Sequence, residues 1–141
     1  MSLFKIEELY FDSLRFRRTP EAQLEADSEM EVEQRFGIKH SFNESRLSVN
    51  LELEISQKSL PFILNADIVG LFSFEERPAD EELSRVVHVN CAAILFPFLR
   101  EAVADLTRKG GFPPLILPPV NFVEVFKQVK SQITSTSEGN K

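Results

Sequence analysis

The chain has one cysteine, Cys91, no tryptophan, one tyrosine and only two histidines, His40 and His88. A single thiol excludes an internal disulfide. Lys5, Glu7 and Glu8 interrupt the apolar residues of Met1–Tyr10, so that segment reads neither as a signal peptide nor as a membrane span. Together these absences predict a cytoplasmic protein with no direct membrane insertion. Basic charge is also short. Sixteen Lys and Arg against 22 Asp and Glu leave a net charge of -6, the wrong sign for a nucleic-acid footprint. Gly110-Gly111 lacks the flanking residues of a phosphate-binding loop, and no serine nucleophile elbow is present. No cofactor or metal is expected.

Phenylalanine, by contrast, is abundant, at 13 of 141 residues. Phe offers apolar area with no polar atom to satisfy. That suits a core, and equally a surface that grips many apolar sequences. The length fits one domain, read here as residues 1–134 followed by a polar tail, 135–141, predicted to be disordered.

Strands are expected over about residues 3–74. Leu3–Arg18 is apolar and free of Pro and Gly, and Thr19-Pro20 opens a polar loop to Ser28. Glu29–Phe36 alternates loosely around Met30 and Val32, and Gly37 with the polar run Lys39–Arg46 predicts a turn. Leu47, Val49, Leu51, Leu53 and Ile55 alternate strictly with polar residues, which puts five apolar side chains on one face and leaves the other wet. Pro61–Phe74 reads as a fourth strand, with Gly70 as a bulge or close-packing point. Helices are expected over about 79–134. Pro78 with Asp80, Glu81 and Glu82 is a helix start. Leu95, Leu99, Ala102, Val103 and Leu106 form a helical stripe, and Gly110-Gly111 a stop. Pro97 predicts a kink or a division between a short first helix and the main one. Asn121 and Glu124 have capping-box spacing, and Phe122, Phe126, Val129 and Ile133 share a face of a last helix. The fold class is therefore α+β: a four-stranded antiparallel sheet with two main helices on one face.

Few residues are candidates for chemistry. His88 and Cys91, three apart on a helix, have the spacing of a nucleophile pair or half a metal site. They lack an orienting group and further ligands, so a packed thiol and a helix histidine is the preferred reading. The acids at 80–82 read as a helix-start cluster rather than a cation site. The connection from Gly110 to Val120 is more unusual. It holds Pro113, Pro114, Pro118 and Pro119 around Leu115, Ile116 and Leu117, whereas most loops are polar. It either plugs the core or walls an apolar groove.

Several of these pieces together are specific. Ile94-Leu95-Phe96-Pro97 with Arg100-Glu101, Gly111-Phe112-Pro113, Pro119-Val120-Asn121-Phe122 and, upstream, Gly70-Leu71-Phe72-Ser73 stand in order at nearly the right spacing. They resemble the SecB family of bacterial export chaperones over roughly residues 60–127. The resemblance implies a homotetramer built as a dimer of dimers. It implies ATP-independent holding of unfolded preproteins and delivery to the translocation motor SecA through an acidic face of the sheet. Positions matching the family's docking acids fall at Ser13, Arg17 and Asn65, none of them acidic, and Ala92 replaces a common proline. That departure raises a second possibility, a chaperone dedicated to one partner such as an antitoxin. A small Cys-dependent enzyme and a purely structural assembly protein are the alternatives from other classes. If a client groove exists, its expected walls are Phe112, Leu115 and Leu117 from the loop, Phe126 and Val129 from the last helix, and Met30, Val32 and Phe36 from the second strand.

Overall fold

A computed structural model describes residues 4–19 and 32–128. The strictly alternating segment becomes β3 (Arg46–Ile55), and all five of its apolar side chains are buried. It is flanked by β4 (Phe62–Phe74) on one side and β2 (Arg35–Asn43) on the other, both antiparallel. β1 (Phe4–Arg18) pairs with the far side of β4, giving the order β1-β4-β3-β2. β1 and β2 are thus the two edges. Extra residues at Glu7 and Asp12 bulge β1 out of regular register with β4.

The second strand lies later than the sequence pattern suggested. It runs through Gly37 and into the polar stretch, and the hairpin turns at Glu44-Ser45, where Glu44 has a φ of 57°. The polar run misled because β2 is an edge strand with one wet face. Lys39 and Ser41 point outward while Phe36, Ile38 and Phe42 pack on the core side. Gly37 sits in the strand because a Cβ there would come within 3.2 Å of the Glu52 carboxylate. Of the expected second-strand residues, Met30 lies outside the described residues and Val32 precedes the strand, half-buried against the core.

Helix starts at the acid cluster, as α1 (Asp80–Arg85), passes through a π-helical stretch at Val86–Cys91 and continues as α2 (Ala92–Lys109). Pro97 does not divide it; the irregularity falls upstream, in the π-helical stretch. Leu83, Val87, Cys91, Ala92, Leu95, Leu99 and Val103 bury one face, which packs against β3 and β4. The 30-residue run Asp80–Lys109 is long and apolar enough to cross a bilayer, but half of its most apolar window is buried inside this fold. That burial makes it the core helix of a sheet-and-helix domain. At its end the Gly110 N–H donates to the Leu106 carbonyl and the Phe112 N–H to the Thr107 carbonyl, with Gly111 at a φ of 91°. The last carbonyls are thereby satisfied, and glycine supplies the left-handed residue that closure needs. Asn121 Oδ1 accepts the Val123 and Glu124 N–H groups at 3.1 and 3.2 Å, capping a helix at 122–128. Val129, Ile133 and the tail lie outside the described residues.

Gly70 sets how close the helix comes. A Cβ there would sit 2.7 Å from the Phe72 ring and 2.9 Å from Leu95. Gly70→Ala is therefore expected to lower stability by about 1–3 kcal/mol through overpacking, read as a lower urea midpoint at unchanged slope. A midpoint equal to that of the parent chain would show that the helix is not seated this tightly.

Candidate functional site

The covered part of the sheet is its middle. On either side of the long helix, aromatic side chains remain half-buried. On the β1 side, Phe16, Phe62 and Phe112 form a cluster with ring centroids 5.5–6.3 Å apart, and the Arg18 guanidinium lies 4.9 Å over the Phe112 ring. On the β2 side, Phe36 packs edge-on against Phe96 and Phe122 at 5.9 and 6.0 Å. Val32, Val120 and Phe126 are also partly exposed, with the Phe126 ring against His88. Such T-shaped and tilted contacts are favourable beyond burial alone.

The loop from Phe112 to Val120 joins the two patches. Its residues do not act alike. Leu117 is 0% exposed and Leu115 8%, whereas Ile116 between them is 61% exposed. Leu115 and Leu117 therefore belong to the core, as pegs, while Phe112, Ile116 and Val120 remain accessible beside four exposed prolines. The expected groove residues do not converge on one site. Phe112 lies with β1 and β4, Phe36 belongs to β2, and Phe126 packs against His88 of the π-helical stretch. Met30 and Val129 fall outside the described residues. Sequence reasoning missed Ile116, although alternation inside an extended proline-bounded loop was a usable signal.

Cys91 and His88 do not form a catalytic pair. Cys91 is fully buried in the core, and burial pushes its thiol pKa up to about 12, far from the thiolate a nucleophile needs. His88 Nδ1 hydrogen-bonds the Ser84 carbonyl at 2.9 Å and its ring lies against Phe126. Among the described residues no group of His, Cys, Asp and Glu is placed to hold a metal ion.

The outer face of the sheet is polar. Ser13 lies opposite Asp67, Arg15 opposite Asn65 and Arg17 opposite Ile63, so Ser13, Arg17 and Asn65 share this face. Ser13 and Asn65 line a depression of about 420 Å³ with Arg15, Arg35, Glu52, Glu54 and Asp67. Acids are thus present here, with Glu52, Glu54 and Asp67 of the depression on the two central strands. Glu52 and Asp67 stand directly opposite each other, and Lys39 pairs with Glu52 at 3.2 Å. The Oδ1 atoms of Asn50, Asn65 and Asp67 are buried without a hydrogen-bond partner among the described residues. Desolvation first, then the negative charges of Glu52 and Asp12, hold the Asp67 carboxyl above its usual range. The wet face of β3 was legible from its alternation; its apposition to Asp67 was not, because register between strands is a property of the fold.

A four-stranded antiparallel sheet with one helical layer and partly covered aromatics beside the long helix is the arrangement set against known proteins. Residues 2–133 match the family model described as preprotein translocase subunit SecB. The protein-export protein SecB of Nitrosococcus oceani is 34% identical, over 92% of this chain and 82% of that one. That of Thiobacillus denitrificans is 32% identical, over 89% and 86%. Among solved structures, a Mycobacterium tuberculosis SecB-like chaperone in complex with a peptide from an antitoxin superposes with a TM-score of 0.71. It is 19% identical and covers 83% of this chain and 90% of that one. The chain belongs to the SecB family, whose members are chaperones and not enzymes. Its role is that of a chaperone in protein export.

The like-charge pair on the outer face generates a pH signature. A carboxyl whose folded pKa is raised binds its proton more tightly in the native state. Asp67 therefore contributes a loss of stability as pH rises from the ordinary aspartate value through its folded one. Asp67→Asn is expected to raise the melting temperature modestly at pH 7 and to remove that part of the pH dependence. Equal melting curves for both proteins at pH 7 and at mildly acidic pH would contradict the assignment.

Proposed function

We propose that the chain holds unfolded or pre-secretory polypeptides, without ATP, on the aromatic strips beside its long helix, and that it does so as a homotetramer, a dimer of dimers. The observation that carries this reading is the partly exposed Phe36, packed on Phe96 and Phe122, on a chaperone-family fold. Unfolded chains present apolar side chains in no fixed order. Apolar contacts are non-directional, so a Phe-walled surface accepts many sequences. Exposed apolar residues elsewhere, Ile6, Tyr10 and Leu14 on β1 and Phe98 on α2, support contacts between copies. Several client strips on one assembly would add avidity to weak individual contacts.

A second reading is favoured by the outer face. With Ser13, Arg17 and Asn65 where the family's docking acids are expected, delivery to SecA would be weak or absent, and the client would be a single dedicated partner. An Arg facing a basic docking element would cost on the order of several kcal/mol. Salt-sensitive binding to SecA at sub-micromolar concentration would rule this second reading out and leave general export.

The holding surface itself is tested by two serines. Leu117→Ser should lower the melting temperature first, costing about 2 kcal/mol or more through lost burial and an unpaired hydroxyl. Phe36→Ser should weaken suppression of client aggregation more than it weakens the fold, because Phe36 is only partly buried. If Phe36→Ser protein that remains folded suppresses aggregation as well as its parent, the patch is not the client surface.

A further inference from the structure

We infer that Thr107 is a positioning residue that sets the register of the crossover loop, so that Ile116 is presented outward to an apolar client segment. The inference rests on the client-holding reading above and goes one step deeper, to what fixes the holding surface.

Thr107 is the one polar or charged residue buried among the described residues, at 0% exposure. Its hydroxyl donates to the Val103 carbonyl at 2.9 Å, one helical turn back, with the Ala104 carbonyl at 3.1 Å. The same oxygen accepts the Leu115 N–H at 2.9 Å, across eight residues of chain, in a buried setting. Its backbone carbonyl accepts the Phe112 N–H at 3.0 Å. One residue therefore grips the loop at two points three residues apart.

The loop has few other means of being held. Pro113, Pro114, Pro118 and Pro119 carry no N–H. The Leu115 amide is buried, so it needs an acceptor at this place, and an unpaired buried donor is costly. A valine would match threonine in shape yet offer no acceptor. With Leu115 pinned, Leu115 and Leu117 point inward and Ile116 points out, at 61% exposure. A slip of one residue would reverse this, burying Ile116 and exposing both pegs. The hydroxyl thus selects which side of the loop meets the client.

The test uses the full chain, with reduced, carboxymethylated α-lactalbumin as the unfolded probe. Thr107→Val should speed amide exchange at Leu115 by about tenfold or more, the size expected for an unsatisfied buried donor, while α2 amides keep their protection. It should also weaken probe binding several-fold. Thr107→Ser keeps the hydroxyl and should restore both. Ile116→Ser should weaken probe binding without changing exchange at Leu115. Unchanged Leu115 exchange in Thr107→Val overturns the inference, and so does faster exchange with unchanged affinity. Should the valine variant fail to fold, Thr107→Ser and Ile116→Ser still decide it: a serine variant with fast Leu115 exchange, or full affinity in Ile116→Ser, overturns it. Failure of the unmodified protein to bind the probe would instead defeat the client-holding reading, while the exchange measurement would still report on the latch.

Discussion

A helix about 10 Å across cannot cover a sheet whose edge strands lie roughly 14 Å apart, at three strand spacings of about 4.8 Å. That mismatch governs the rest of this molecule. The long helix takes the middle, β3 and β4, where every core-facing position is buried. The edge strands β1 and β2 also carry phenylalanines on the helical side, and for these there is only partial cover. A domain that needed nothing beyond its own stability would place polar residues there. This chain places Phe16, Phe36 and Phe42, and lays an apolar, proline-stiffened loop along the helix to reach from one flank to the other. A stiff apolar surface loses little entropy on binding, which suits the client-holding role proposed above.

The two faces of the sheet divide the labour. The helical face is apolar, and it is where unfolded segments are proposed to bind. The outer face is polar and charge-patterned, with acids on the central strands and Arg15, Arg17 and Arg35 on the edge strands. Charge patterns reject wrong partners and steer right ones. The absence of acids at Ser13 and Arg17, joined to their presence on β3 and β4, means that a partner for this face would need a charge order of its own. The strained pairing of Glu52 with Asp67 is stable enough to persist because Lys39 and Asn50 offset it.

Much of this was readable in the residues. Period two from Leu47 to Ile55 placed a strand and its buried face without error, because a half-buried strand has few alternatives. The helix start at Asp80, the stop at Gly110-Gly111 and the Asn121 cap were legible because each is a local signal: acids in a first turn, a glycine at positive φ and a side-chain cap. β2 was misplaced because an edge strand with a wet face looks polar in sequence. Pro97 was read as a kink or a division, yet the helix runs through it without dividing, with Leu95 and Leu99 buried on either side. The site was harder. A list of apolar residues does not say which are pegs and which are walls; packing separates Leu115 and Leu117 from Ile116. Nor could spacing show that Phe112 and Phe36 stand on opposite flanks, since that follows from β1 and β2 being opposite edges.

The central claim is that unfolded chain lies along the flanks of the long helix and not on the outer face of the sheet. A photo-crosslinking amino acid placed singly at Phe126, at Ile116 and, on the outer face, at Glu54 tests it most directly, with an unfolded secretory precursor as client. The account predicts strong crosslinks from positions 126 and 116 and none above background from 54. Crosslinks from 54 with none from the other two would contradict it.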